Sequence, residues 1–98
     1  MAGASKKSTE IGPREMRAIT RALSDPRRFA ILKHIAAAAP VACIDLRQAF
    51  PVSAATLSHH LKELESAGLI ATERRGKFLD VGFRRDTWKA YLAELRSL

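Results

Sequence analysis

The chain has 98 residues, the size of one ordinary domain, and its 17 Lys and Arg against 10 Asp and Glu leave a net charge of +7. No apolar run approaches the ~18–20 residues of a membrane span, Lys6 and Lys7 lead into no apolar signal segment, and a single cysteine, Cys43, excludes an internal disulfide. A soluble, cytoplasmic protein is expected, and the basic excess favours a polyanion as its partner.

Residues 1–12 (MAGASKKSTEIG) are small, polar and unpatterned, and read as a flexible tail ahead of one domain over 13–98. A first helix is predicted over 14–23, where Met16, Ile19, Ala22 and Leu23 recur at spacings of three and four. Asp25 then serves as an N-cap and Pro26 as the first residue of a second helix, 26–38, with Phe29, Leu32, Ile35 and Ala36 on one face. Pro40 follows its end. A short helix over 43–49 offers Ile44 and Leu46 as apolar contacts, and Phe50-Pro51-Val52 makes a turn. Ser53 can cap a fourth helix, 54–66, whose Leu57, Leu61 and Leu64 align at i, i+4 and i+7, with Gly68 as its C-cap.

The period then changes from helical to alternating. Residues 69–73 and 78–83 read as strands, with Leu79, Val81 and Phe83 alternating against Asp80 and Gly82, joined through Arg74-Arg75-Gly76-Lys77. Asp86 is placed to cap a last helix, 87–97, carrying the stripe Trp88, Tyr91, Leu92 and Leu95. The fold class is therefore mainly α with a small β-hairpin, in the order α-α-α-α-β-β-α. Seventeen of the residues are alanine, and a chain this short buries only roughly 60–70% of its unfolded surface. Both points suggest that a second subunit completes the core.

The segment 43–66 carries the chemistry. With Leu57 at the centre of the buried face, ~100° per residue places Leu61 and Leu64 beside it, His60 at its edge, and Ala55, His59 and Lys62 opposite, flanked by Thr56, Ser58 and Glu63. One apolar face and one face of short polar or cationic groups is what a helix needs in the ~12 Å major groove of double-stranded DNA. Ser53, Thr56 and Ser58 can bond phosphates or bases, the Thr56 methyl can meet a thymine methyl, His59 can donate, and Lys62 suits a phosphate. Ala55 lets the backbone approach. In the hairpin, Arg74, Arg75 and Lys77 crowd three cations into four residues, which a duplex beside this wing would relieve. Arg84 and Arg85 add charge but can instead pair with Asp80 or Asp86. The architecture is a winged helix-turn-helix.

Residues 22–32 (ALSDPRRFAIL) resemble the opening signature of the ArsR family of bacterial winged-helix repressors, and 53–70 (SAATLSHHLKELESAGLI) resemble its recognition helix and the turn into the wing. The likeness spans roughly residues 14–98. It implies a homodimer joined through the first and last helices, here Met16, Ile19 and Leu23 with Trp88, Tyr91, Leu92 and Leu95. It also implies a palindromic operator and repression of transcription. Many members sense metals through a Cys-X-Cys just before an Asp-Leu pair. Here Asp45-Leu46 is preceded by Ala42 and Ile44 at the ligand positions, with Cys43 between them. A second site of the family uses Asp and His on the last helix, and 86–98 has no His. No metal and no cofactor is expected.

Cys43 is read as a structural thiol, with a thiol-based redox response as its alternative. A small-molecule effector is left open. An enzyme is not expected, because no Gly-rich phosphate loop is present and Ser58, His59 and His60 are helix neighbours and not a triad. The contrasting reading is a winged helix that binds a protein partner.

Overall fold

A computed structural model describes residues 10–98; the tail expected over the first dozen residues lies, up to residue 9, outside the described residues. The elements are α1 (Pro13–Leu23), α2 (Pro26–Ala38), β1 (Val41–Ala42), α3 (Cys43–Ala49), α4 (Ala54–Ser66), β2 (Ile70–Arg75), β3 (Phe78–Phe83) and α5 (Arg85–Arg96). Ile11 packs on the core, and the Gly12 N–H donates to the Glu15 carboxylate at 3.1 Å, closing the start of α1.

Local chemistry explains most of the boundaries. The Asp25 carboxylate accepts from the Arg27 and Arg28 N–H groups at 2.9 and 3.1 Å, and Pro26 supplies a first position that needs no N–H. Ser53 Oγ accepts from the Thr56 N–H at 3.0 Å to cap α4. At the other end of α4, Gly68 adopts φ +79, which lets the Leu69 N–H reach back to the Leu64 carbonyl at 3.0 Å. Gly76, at φ +62 ahead of Lys77, gives the hairpin the sign pattern of a II′ turn, whose twist suits the strands it joins.

Around the core, α1 to α4 and the hairpin each contribute at least one fully buried large side chain. These are Ile19 from α1, Ile31 and Ile35 from α2, Leu46 from α3, Leu57 and Leu64 from α4, Leu69 and Ile70 at the start of the hairpin, and Val81 from β3. The last helix buries Thr87 and Tyr91, and the Tyr91 hydroxyl lies 3.3 Å from Thr20 Oγ1 of α1.

Four expectations change. The hairpin is part of a three-stranded antiparallel sheet, order β1-β3-β2, because Val41 and Ala42 pair with Val81 and Asp80. Two residues are too few to show an alternation, so only the tertiary pairing defines that strand. The buried face of α2 is Arg28, Ile31, Leu32 and Ile35, and Phe29 is turned outward at 38% exposure. Ile44 is likewise 49% exposed, leaving Leu46 as the anchor of α3. Finally, α5 begins at Arg85 without a side-chain cap; Asp86 sits in its first turn and accepts from the Arg84 guanidinium at 3.3 Å.

Replacing the fully buried Leu64 by Ala should lower the unfolding free energy by about 2–5 kcal/mol through the reduced transfer energy and a residual cavity. Ile44→Ala, at a half-exposed site, should stay within about 0.5 kcal/mol. Urea denaturation monitored by circular dichroism distinguishes the two.

Candidate nucleic-acid interface

Helix α4 divides as its period demands. Leu57, His60, Leu61 and Leu64 are buried, while Ala55, Thr56, Ser58, His59 and Lys62 are exposed, as is the capping Ser53. The Ser53 hydroxyl also donates to Thr56 Oγ1 at 2.9 Å, so these two groups are preorganised as a pair at the tip of the helix. The outward face has two flanks. Ser58 and Lys62 line a concavity of about 260 Å³ shared with Cys43 and Arg47 of α3 and Thr72 of β2. His59 and Glu63 instead border α1 and α2, beside Arg21 and Asp25.

In the wing, Arg74, Arg75 and Lys77 are all exposed, but they are not equivalent. Arg75 grips Asp80 with two hydrogen bonds, Nε to Oδ2 at 2.8 Å and Nη2 to Oδ1 at 3.1 Å. That bond lowers the Asp80 pKa and raises that of Arg75. Arg75 therefore braces the hairpin, its charge largely balanced by Asp80. Arg74 and Lys77 line a second concavity, about 530 Å³, and the residue that meets them across it is Arg47. Sequence reasoning missed Arg47. Its signal was its place beside the buried Leu46, which turns it toward the wing side of α3. Cys43, half-buried at the first position of α3, lines both concavities. Arg84 pairs with Asp86, and the Arg85 guanidinium lies 5.1 Å from the Phe83 ring.

A buried polar contact holds α4 in place. Arg28, 8% exposed, donates from Nε to His60 Nδ1 at 3.2 Å and from Nη1 to the Ala22 carbonyl at 3.3 Å, with Asp25 Oδ2 at 3.9 Å from Nη2. Guanidinium can only donate, so His60 Nδ1 accepts and the imidazole is neutral, with its proton on Nε2. Burial first, and then the Arg28 charge, push the His60 pKa below its ordinary value.

Among the residues assigned to a subunit contact, Leu95 is 42% exposed, and Met16, Leu23, Trp88 and Leu92 are partly exposed. Ile19 differs. It has no exposed surface and belongs to the protomer's own core, where the period of α1 alone could not separate it from its neighbours. Tyr91 is also buried, at 7% exposure.

Two measurements follow from the Arg28–His60 contact. Arg28→Ala should lower the unfolding free energy by about 1.5–3 kcal/mol, the range for hydrogen bonds from a charged donor, and should speed hydrogen exchange along α4. The depressed His60 pKa means that the unfolded chain takes up a proton the folded chain resists. Stability is therefore full above the ordinary imidazole value and falls as the pH drops through it toward the folded value. Thermal denaturation from about pH 7 to about pH 5 should show the loss, and His60→Gln should flatten the profile.

A family model described as a helix-turn-helix domain matches residues 23–73. The HTH-type transcriptional regulator YceK of Bacillus subtilis is 33% identical over 75 residues, covering 76% of this chain and 75% of that protein. The arsenical resistance operon repressor of Staphylococcus xylosus is 40% identical over 63 residues, covering 64% of this chain and 60% of the repressor. Among solved structures, an ArsR family transcriptional regulator superposes with a TM-score of 0.79 at 25% identity over 91% of both chains. The homodimeric winged helix-turn-helix DNA-binding domain of a possible ArsR-family regulator from Mycobacterium bovis superposes at 0.71, with 23% identity over 86% of this chain and 79% of that one. The exposed polar helix, the wing and these relatives agree, and the chain belongs to the ArsR family of winged helix-turn-helix, DNA-binding transcriptional regulators.

Proposed function

We propose that the chain acts in the cytoplasm as a homodimeric repressor that reads a palindromic operator, without the family's metal-sensing site. One observation carries the reading. The outward face of α4 is continuous with cations from two other elements, Arg47 of α3 and Arg74 and Lys77 of the wing. Short polar groups at the start of α4, Ser53, Ala55, Thr56 and Ser58, allow close approach to base edges, and the cations around them suit flanking phosphates.

The repressor role is supported by the name of the Staphylococcus xylosus relative, and the dimer by the homodimeric Mycobacterium bovis domain. The apolar groups that one protomer leaves partly exposed on α1 and α5 suit a subunit contact: Met16, Leu23, Leu92 and Leu95, while the Trp88 ring packs on Phe83 and Tyr91. Two-fold symmetry then sets the recognition helices about 34–36 Å apart, one turn of DNA. Ala42 and Ile44 at the positions before Asp45-Leu46 offer no ligand atoms, which supports a signal other than a metal ion.

Operator selection from random duplexes should return an inverted repeat, and recovery of no sequence over bulk DNA would sink the proposal. Affinity should fall steeply with salt. The variant Lys62→Ala/Arg74→Ala/Lys77→Ala should make the slope of log K against log salt shallower by about 2–3, near 0.9 for each phosphate that the variant leaves unneutralised. For the subunit contact, Leu95→Glu should weaken the dimer about tenfold or more, because it places an unpaired charge among apolar groups. Sedimentation equilibrium reads that change directly.

A further inference from the structure

Helix α2 from Phe29 to Ala37, the end of β3 and the first turns of α5 border a groove of about 340 Å³. Its floor is Leu32, and its walls are Phe29, Ala36, Phe83 and Trp88. Phe29 is 38% exposed there, and Phe83 and Trp88 are held together with ring centroids 6.5 Å apart at 52°. The other feature of the groove is charge. Lys33 of α2 and Arg85 of α5 line it, and no carboxylate does. Neither cation takes part in an ion pair among the described residues; Arg75, Arg84 and Arg28 have carboxylates, whereas Arg85 has only the Phe83 ring.

We propose that this groove binds a small aromatic carboxylic acid, its ring against Phe29, Phe83 and Trp88 and its carboxylate between Lys33 and Arg85. The volume is near the lower end of ligand pockets, about 300–1,000 Å³, which suits one ring and a short acid chain. Aromatic walls favour a flat apolar body through edge and face contacts. A guanidinium with free donors matches a carboxylate bidentately, and an ammonium across the groove adds a second charge-assisted bond. The site extends the regulatory reading by supplying a place for a ligand, and its test does not require DNA.

The chain has one tryptophan, Trp88, so its indole N–H gives one resonance that reports on the groove. Titration of the full chain with 4-phenylbutyrate should shift that resonance saturably. The neutral 4-phenylbutanamide should bind about tenfold more weakly or worse, as should 4-phenylbutyrate to the Lys33→Ala/Arg85→Ala variant. Both substitutions are at exposed positions, and circular dichroism verifies that the variant folds. The proposal is overturned by the absence of a saturable shift, by equal affinity for acid and amide, or by unchanged affinity in the double variant. A second copy of the chain is the competing occupant. Phe29→Ser should abolish the shift and leave the oligomeric state in light scattering unchanged; dissociation instead would assign the groove to a subunit contact and overturn the ligand site. A chain that selects an operator but does not bind 4-phenylbutyrate loses this proposal alone.

Discussion

The guanidinium of Arg28 occupies a position in α2 where the helical period would place an apolar side chain, and three elements meet on it. It donates to the last turn of α1 through the Ala22 carbonyl and to α4 through His60, while Asp25, which caps its own helix, stands near its remaining edge. Withdrawing such a group from water is costly unless its donors are used. The bonds that offset the cost are directional, whereas leucine contacts are not. The rotation of α4 about its axis is thus set by a polar contact as well as by Leu57, Leu61 and Leu64.

That rotation matters because α4 has a narrow functional face. A quarter-turn would exchange Ser58 and Lys62 for Glu63 on the side of α3 and the wing, replacing cation by anion beside Arg47. The positive surface next to α4 is assembled from three elements distant in sequence, α3, α4 and the hairpin. Within the hairpin the work is divided. Arg75 is tied to Asp80 and stiffens the strand pair, while Arg74 and Lys77 remain outward. Three neighbouring cations in sequence therefore have two different physical roles.

The other side of α2 has the opposite character. Next to the buried Arg28 stands the outward Phe29, so one turn of one helix touches both the support of α4 and the aromatic groove with Phe83 and Trp88. The large apolar groups that this small core leaves uncovered lie in that groove, on the α1–α5 surface with Leu95, and beside the wing, where Ile44 and Phe78 line the concavity of Arg47, Arg74 and Lys77. Large apolar groups gathered on a small domain indicate contact with something else.

Much of this was legible from residues alone. The limits of α2 and α4 follow from Asp25-Pro26 and Ser53, whose caps act within a few residues and need no distant partner. The two faces of α4 follow from the leucine period, and the hairpin turn follows from Gly76. What the sequence could not decide was which of two equivalent local choices the packing would take. In α2, apolar residues cover most of the circumference, and the face that packs, Arg28 on His60 together with Ile31, Leu32 and Ile35, leaves Phe29 outward. The strand at Val41 exists because β3 offers it a free edge. Ile19 is fully buried within the protomer, which the period of α1 does not reveal. Local signals reach a few residues along the chain, and so they define where elements begin and end. The partners of Arg28, the pairing of Arg75 with Asp80 and the meeting of Arg47 with the wing depend on which elements become neighbours, and only the tertiary structure decides that.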